Sequence, residues 1–327
     1  MRIIAVADAS RKTRPVFLVS LPRAGSTWLQ SLIAGSPDVA TSAENWVMLP
    51  LIEGVYRGLG FTRYNQGTYR LAKEAAAATD EKFNEALRKA VREFALHYYE
   101  TAGDGARWFL DKTPRYSLIC NDLHRLLPEA RFVVLFRNPV DVARSLATTF
   151  GGRWNTLFRY EIDFAVGLPA ICTLARERQD NVLVVRYEDA LADSAATCAR
   201  IGEFLQIEID AKNLALGREK SAGTLGDPNV KHENVKRNLT HGEKRQVKRF
   251  LCKISDADLA TMDYSRAALE HQLAGLPAVR SLRDIGSAAA KPLYTSGWAY
   301  PFEKLSRRLG DNRRQPFERN PPGFGLE

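Results

Sequence analysis

Three short apolar runs, each followed within three residues by an arginine, constrain the fold of this chain most strongly. They span residues 16–20 (VFLVS), 131–136 (RFVVLF) and 181–185 (NVLVV). Runs that are apolar throughout are typical of strands buried on both faces of a parallel sheet. Between them, residues 81–99 repeat apolar side chains at three- and four-residue steps, which predicts a helix. A fourth strand is predicted at 107–111 (RWFLD).

Strands that alternate with helices predict an α/β protein, with a doubly wound parallel sheet flanked by helices. At 327 residues with 45% hydrophobic content, the chain can bury one large core. We therefore expect one domain over residues 1–275. The remaining residues, 276–327, are expected to form a partly irregular C-terminal extension, because the tail from residue 313 is rich in Pro and Gly.

Composition excludes some classes of protein but selects no partner. The net charge of +9 fits an anionic cofactor, an acidic acceptor, nucleic acid or an anionic membrane surface equally well. The four cysteines are far apart and form no CxxC pair, so neither a zinc site nor a disulfide framework is indicated. No window reaches the roughly 18 apolar residues that a membrane span needs. The sequence predicts a cytoplasmic protein without a transmembrane segment.

The residues after the first apolar run have the composition of an anion-binding loop. The sequence LPRAGSTWL leads into a helical pattern, so a strand, a tight loop and a helix N-terminus follow one another. Exposed amides of a first helical turn bind anions, and Ser26, Thr27 and Arg23 add further donors. The alternative is an ordinary helix capped by a serine side chain. Arg23 favours the anion site, because its charge lies where the carboxyl edge of the sheet is expected.

This loop departs from the phosphate-binding pattern G-x-x-x-x-G-K-[ST]. Ser20 stands in place of the first glycine, and Ser26 stands in place of the lysine. The strand at 131–136 also runs into Arg137 rather than into an aspartate that would organise magnesium. The five histidines lack the spacing of a ligand set. The sequence thus favours transfer of a sulfuryl group without a metal over magnesium-dependent phosphoryl transfer.

A second anion site is predicted after the run at 131–136, in the sequence RNPVDVARS. Helix capping accounts for Asn138, Pro139 and Asp141 without any function. It does not account for Arg137 at the strand end or for Ser145 two turns into the helix. Two anion sites at neighbouring strand ends predict a ligand with two separated anionic groups, as in a nucleoside 3′,5′-bisphosphate.

LPRAGSTW and FRNPVDVARS resemble the 5′-phosphosulfate loop and the 3′-phosphate box of the sulfotransferase superfamily that uses 3′-phosphoadenosine-5′-phosphosulfate (PAPS). VRYED at 185–189 is similar to a third segment of that family, and the resemblance runs from about residue 16 to 205. It implies a P-loop-like fold, PAPS as donor and adenosine 3′,5′-bisphosphate (PAP) as product. By this resemblance Arg137 and Ser145 hold the 3′-phosphate and Tyr187 borders the adenine. The 5′-phosphosulfate is assigned to Arg23, Ala24, Gly25, Ser26, Thr27 and Trp28.

Two departures indicate which branch of the family the chain resembles. The cytosolic enzymes have Lys where this chain has Arg23, and a catalytic His in the segment where it has Lys112. Both residues are similar to those of the tyrosylprotein and carbohydrate branches, which use a carboxylate as base. The tyrosylprotein pattern implies that Glu44 is the general base. Arg23 and Lys112 are then predicted to stabilise the charge on the leaving bisphosphate.

The polar segment 211–242 is predicted to be a surface loop or lid. Within the basic stretch 231–249, Lys231 or Arg237 is predicted to add a cation to the 3′-phosphate, by resemblance to a late loop of the family. The alternative is a solvated helix face that carries these charges.

The acceptor is predicted to be a hydroxyl of a carbohydrate or glycoconjugate, and the alternatives are a phenolic small molecule or a peptide tyrosine. Its pocket is expected at 46–56, 61–69 and 150–160, where aromatic and Arg side chains cluster. An ATP-dependent kinase is the more distant alternative. A nucleic-acid-binding module ranks third, because 231–249 contains no aromatic residue to stack on bases, and the prediction is that no nucleic acid is bound.

Overall fold

The computed structural model describes residues 12–57, 80–150, 160–177, 180–222 and 238–279. Its centre is a five-stranded sheet in which every pair of neighbours is parallel. The strands are, in chain order, β1 (Arg14–Ser20), β2 (Val39–Thr41), β3 (Trp108–Asp111), β4 (Arg131–Phe136) and β5 (Val182–Arg186). Their order across the sheet is β2-β3-β1-β4-β5.

Helices follow the strands and flank the sheet. Those described are α1 (Ser26–Ala34), α2 (Met48–Pro50), α3 (Glu81–Gly103), α4 (Cys120–Leu126), α5 (Pro139–Phe150), α6 (Leu168–Arg176), α7 (Tyr187–Ala192), α8 (Ser194–Leu205), α9 (Leu214–Lys220), α10 (His241–Leu251), α11 (Asp256–Thr261) and α12 (Arg266–Gly275). Tight helical turns cover Pro114–Leu118 and Ala211–Asn213, and wide ones cover Leu51–Tyr56 and Asp163–Gly167. A short parallel pair, β6 (Leu239–Thr240) and β7 (Ala278–Val279), joins the start of α10 to the end of the described chain.

The predicted fold class is confirmed, and burial explains why. Residues 16–19 of β1 and 132–136 of β4 are at most 2% exposed, as expected of strands covered on both faces. The four predicted strands are found within one or two residues of their expected bounds. Strand β2, which has three residues, was not predicted. Because all five strands run in one direction, their carboxyl ends meet at one edge, where ligands bind in sheets of this kind.

The expectation of a continuous loop over 211–242 is wrong at both ends of that segment. Residues 211–220 form a helical turn and α9, and α9 packs against α1, where the Cβ of any side chain at Gly217 would lie 1.8 Å from the Ser31 carbonyl oxygen. Leu239–Thr240 is a strand, and Thr240 caps α10 with its side chain. Residues 223–237 lie outside the described part of the chain, as does most of the predicted extension at 276–327.

No helix in the described ranges is both long enough and apolar enough to cross a lipid bilayer.

Candidate active site

Each strand of the sheet is followed at its carboxyl end by one of the residues predicted to bind the cofactor or to take part in catalysis. Across the sheet, in spatial order, these are Glu44 after β2, Lys112 after β3, Arg23 after β1, Arg137 after β4 and Tyr187 after β5. Neighbouring strands lie about 4.8 Å apart. The topology therefore gathers at one edge five residues that are as much as 164 positions apart in the sequence.

The loop from residue 21 to 25 is shaped by two residues in the left-handed conformation. Arg23 has φ of 68° and Gly25 has φ of 96°. Helix α1 begins at Ser26, and its N-cap is Gly25, which offers no side-chain hydrogen bond. The alternative of a helix capped by a serine side chain is therefore wrong. Gly25 leaves the first-turn amides without a side-chain cap, which suits a loop that binds an anion.

Gly25 is also required because the ring of Tyr187 leaves no space for a side chain there. A Cβ atom built on Gly25 would lie 2.2 Å from Cε2 of Tyr187. The ring of Tyr187 lies edge-on to Trp28, with centroids 5.9 Å apart. Three residues predicted for the cofactor, from two different segments of the chain, are therefore in contact.

The two predicted anion sites are joined by direct contacts of Arg23. A guanidinium nitrogen of Arg137 donates a hydrogen bond to the carbonyl oxygen of Arg23 at 2.9 Å. The Nε of Arg23 donates to Oγ of Ser145 at 3.3 Å. Arg137 and Ser145 were predicted to hold one phosphate together, and Arg23 contacts both of them. The charge of Arg23 therefore lies beside the residue predicted for the 3′-phosphate.

Arg137 is also held by Tyr187, because its guanidinium carbon lies 4.5 Å from the centre of the ring. This cation–π contact orients the charge at the strand end. The remaining residues of the predicted loop differ in exposure. Ala24 and Ser26 are buried, whereas Thr27 is exposed.

The two residues predicted for proton transfer and charge stabilisation form an ion pair. Nζ of Lys112 lies 2.9 Å from Oε1 of Glu44, and the two side chains are 4% and 16% exposed. The register of the sheet explains the contact. Thr41 pairs with Leu110, so the segments that leave β2 and β3 run side by side. Gln30 of α1 fixes the first of them through hydrogen bonds to Oγ1 of Thr41 and to the carbonyl oxygen of Ser42, both 2.9 Å long.

Tyr116, which was not predicted as a site residue, supports the Glu44 segment. The Tyr116 hydroxyl donates to Oδ1 of Asn45 at 3.0 Å and accepts from the backbone N–H of Met48 at 3.0 Å. Between these two residues Trp46 has φ of 58°, a strained conformation for an aromatic residue. Burial raises the pKa of Tyr116 far above its ordinary value, so the hydroxyl stays a donor. No sequence motif marks this residue, because its role depends on a turn that brings it against residues 45–48.

A buried carboxylate anchors the chain on the other side of Lys112. Asp111 is 2% exposed and accepts a hydrogen bond from the hydroxyl of Tyr99 at 2.7 Å. The Thr113 hydroxyl also donates to it, at 3.3 Å. Burial raises the pKa of Asp111 to about 6, and the hydrogen bonds oppose that rise. Lys112 is thus flanked by residues that fix the backbone at the end of β3.

Of the segments expected to line the acceptor pocket, the structure describes 46–56 and both ends of 150–160. Arg115 lies above the ring of Tyr160, with its guanidinium carbon 5.7 Å from the ring centre, and its Nε lies 3.3 Å from Oδ1 of the fully buried Asp163. The segment 61–69, most of 150–160, and both Lys231 and Arg237 fall outside the described residues. Within the described ranges, no three His, Cys, Asp or Glu side chains are grouped so as to hold a metal ion.

Comparison with known proteins gives a match over more than half of the chain. A model of the sulfotransferase family matches residues 15–211. Nodulation protein NoeE of Sinorhizobium fredii is 36% identical over 138 residues, which are 41% of this chain and 31% of that protein. Protein-tyrosine sulfotransferase A of Caenorhabditis elegans is 25% identical over 222 residues, which are 63% of this chain and 54% of that protein. The chain thus spans less than two thirds of the length of each relative.

Solved structures are also similar to the chain. The sulfotransferase domain of the Synechococcus PCC 7002 olefin synthase is 22% identical, with a TM-score of 0.42, and the match covers 88% of this chain and 98% of that one. A sulfotransferase from Alicyclobacillus acidocaldarius is 14% identical, with a TM-score of 0.46, over 79% of this chain and 99% of that one.

Proposed function

Because this chain belongs to the sulfotransferase family, we propose that it transfers a sulfuryl group from PAPS to a hydroxyl group of a carbohydrate or glycoconjugate. The observation that carries the proposal is the contact between Arg137 and the carbonyl oxygen of Arg23. This contact holds the cation of one strand end against the loop that follows another strand, at the edge of the sheet where ligands bind. A nucleotide with a phosphate at each end of its ribose matches Arg23 and Arg137 in charge.

The residues of the edge fit such a nucleotide. Gly25 lets the backbone approach the ring of Tyr187 so closely that no other residue has room there. Arg23 and Arg137 supply planar, permanently charged forks that suit phosphate and sulfate oxygens. The first-turn amides of α1 supply neutral donors beside them.

In the reaction that we propose, Glu44 accepts the proton of the acceptor hydroxyl as its oxygen attacks sulfur. The new O–S bond forms while the bond from sulfur to the 5′-phosphate oxygen breaks, and the electron pair of that bond stays on the bisphosphate product. Lys112 and Arg23 stabilise the negative charge that develops there. The ion pair between Lys112 and Glu44 supports these roles, because it holds the proposed base and a proposed cation 2.9 Å apart.

The choice of a carbohydrate over a phenolic small molecule rests on the residues themselves. Arg23 in the loop, Lys112 after β3 and a carboxylate after β2 are the combination that resembles the non-cytosolic branches. A peptide tyrosine is the second candidate, and it is favoured by the similarity to a protein-tyrosine sulfotransferase over 63% of this chain.

Transfer of radiolabelled sulfate from PAPS by the purified protein tests the proposal. The acceptors are a panel of glycans, phenolic compounds and tyrosine peptides, each assayed without a divalent metal. We expect label in one or more glycans. Label in tyrosine peptides or phenols alone would contradict the acceptor class. Binding of ATP that requires magnesium, with no binding of PAP, would contradict sulfuryl transfer and support a kinase.

A further inference from the structure

Glu188 lies beside the predicted 3′-phosphate box and contacts its backbone. Phe136 of β4 and Arg186 of β5 are partners in the sheet register. One residue further along, Arg137 lies over the ring of Tyr187. Two residues further, the backbone N–H of Asn138 donates to Oε1 of Glu188 at 3.0 Å. Two consecutive residues after β5 therefore hold two consecutive residues after β4.

The contact with Glu188 fixes the peptide that follows Arg137. The N–H of Asn138 belongs to the same peptide unit as the carbonyl group of Arg137, so its direction sets how Arg137 leaves the strand. A hydrogen bond from an amide to a carboxylate is stronger than one between neutral groups. Glu188 thus acts on the backbone of Arg137, whereas Tyr187 acts on its side chain.

A tyrosine from the segment between α11 and α12 holds Glu188 in place. The Tyr264 hydroxyl donates to Oε2 of Glu188 at 2.7 Å. Burial and this hydrogen bond raise the pKa of Tyr264 well above its usual value, so the hydroxyl remains a donor at neutral pH. The guanidinium carbon of Arg186 lies 4.9 Å from the centre of the same ring, and Arg186 pairs with Asp263 at 2.7 Å.

Helix α12 also contacts the residues that follow Arg137. The side-chain amide of Asn138 donates to Oε1 of Gln272 at 2.9 Å. The amide of Gln272 in turn donates to Oδ1 of Asp141 at 3.2 Å. Both Tyr264 and Gln272 come after residue 211, where the family match ends. Residues that follow the matched region therefore support the carboxyl edge of the sheet, where the cofactor is predicted to bind.

We propose that Glu188 is a positioning residue for the cofactor, which orients Arg137 through the Asn138 amide and is itself held by Tyr264. This proposal rests on the proposed function, because it assigns Arg137 to the nucleotide. It predicts an effect on nucleotide affinity rather than on the chemical step, since Glu188 lies on the opposite side of the sheet edge from Glu44 and Lys112.

Titration calorimetry of PAP binding and steady-state kinetics with PAPS test the proposal on the full chain. Glu188→Ala is expected to raise the Kd for PAP and the KM for PAPS about tenfold, the size of one lost hydrogen bond to a charged group. The kcat at saturating PAPS should stay within about twofold of wild type, as expected when only ground-state binding is lost. Glu188→Gln keeps a carbonyl acceptor for Asn138, and its Kd should stay within about threefold of wild type.

Asp263→Asn is the matched control. It removes the charge that pairs with Arg186 but does not touch Asn138, and asparagine tolerates the positive φ of 62° at that position. Its Kd for PAP should equal that of wild type. An unchanged Kd in Glu188→Ala, a Kd in Glu188→Gln as weak as in the alanine variant, or an equal loss in Asp263→Asn would overturn the proposal.

Should the alanine variant fail to fold, Tyr264→Phe carries the test. It leaves one carboxylate oxygen of Glu188 without its donor, and we expect a rise of about fivefold in the Kd for PAP. An unaltered Kd in this variant would overturn the proposal. A wild-type protein that binds no PAP would instead contradict the proposed function itself, so the two failures are distinguishable.

Discussion

The ammonium group of Lys112 lies 2.9 Å from the carboxylate of Glu44, and both side chains are largely buried. Removing one partner of such a pair leaves the other charge without compensation, which destabilises a protein more than loss of an exposed pair. The pair therefore links the chemistry that we propose to the stability of the carboxyl edge.

Substitution of either partner should stop turnover. We expect Glu44→Gln and Lys112→Ala to lower kcat by about 100-fold or more, because a proton acceptor or a stabilising cation is lost. The Kd for PAP should stay within about threefold of wild type in Glu44→Gln, since Glu44 is assigned to the acceptor hydroxyl and not to the phosphates. Single-turnover rates and calorimetry measure the two quantities separately.

Glu129→Gln provides the control for this prediction. Glu129 pairs with Arg92 at 2.6 Å but precedes β4, at the opposite edge of the sheet. Its turnover should equal that of wild type. Wild-type kcat in Glu44→Gln would remove Glu44 from the mechanism.

Gly25→Ala should abolish nucleotide binding, and Gly105→Ala should not. Both glycines have positive φ, at 96° and 81°, so both variants meet the same left-handed cost of about 1 to 2 kcal/mol. Only at Gly25 does the new Cβ collide with the ring of Tyr187, whereas nothing lies within 4 Å at Gly105. Calorimetry with PAP on both variants checks this difference. Equal affinity in the two would show that the close approach to Tyr187 has no role in binding.

Asp163→Asn should stabilise the protein above pH 6. Burial raises the pKa of Asp163 to about 6, and Arg115 only partly opposes the rise. Among the described residues, neither carboxylate oxygen has a hydrogen-bond partner. Below about pH 4 the carboxyl is protonated in both folded and unfolded chains. As pH rises through 4 to 6, the unfolded chain loses its proton first, so the wild type loses stability.

The variant should therefore exceed wild type by about 1 to 3 kcal/mol at pH 8, and the gain should vanish near pH 4. Urea unfolding at a series of pH values measures the difference. Asp111, whose pKa is also raised to about 6, is present in both proteins, so its titration does not change the difference in stability between them. A gain that does not depend on pH would contradict the assignment to Asp163.

Much of the fold could be predicted from the local pattern of apolar residues. The strands at 16–20 and 131–136 were predictable because strands buried on both faces are apolar throughout. By contrast, β2 has three residues and no periodicity to detect. Helix α3 was predicted, but only part of its buried face was, namely Val91, which is 2% exposed. Phe83 and Phe94, which belong to the apolar repeat, are 37% and 51% exposed, whereas the small Ala95 is fully buried.

In the candidate site, too, some residues could be predicted from the sequence and others could not. Arg23 and Arg137 were predictable because each is a charge within three residues of the end of an apolar strand, where burial cannot explain it. Tyr116 and Glu188 were not, because their roles depend on contacts between segments far apart in the sequence. Glu188 lies in the VRYED segment, but the resemblance assigned a role there only to Tyr187, and no motif marks Tyr116.

Binding of PAP, adenosine 5′-phosphate and adenosine 3′-phosphate to wild type and to Arg137→Ala, measured by titration calorimetry without metal, tests whether one nucleotide joins the two anion sites. We predict that wild type binds PAP at least about tenfold more tightly than either monophosphate, since each phosphate makes its own charged contacts. Arg137→Ala should weaken PAP to nearly the affinity of adenosine 5′-phosphate and leave the latter unchanged. Equal affinity of wild type for PAP and adenosine 5′-phosphate, or the same loss for both ligands in Arg137→Ala, would contradict a nucleotide held at both strand ends.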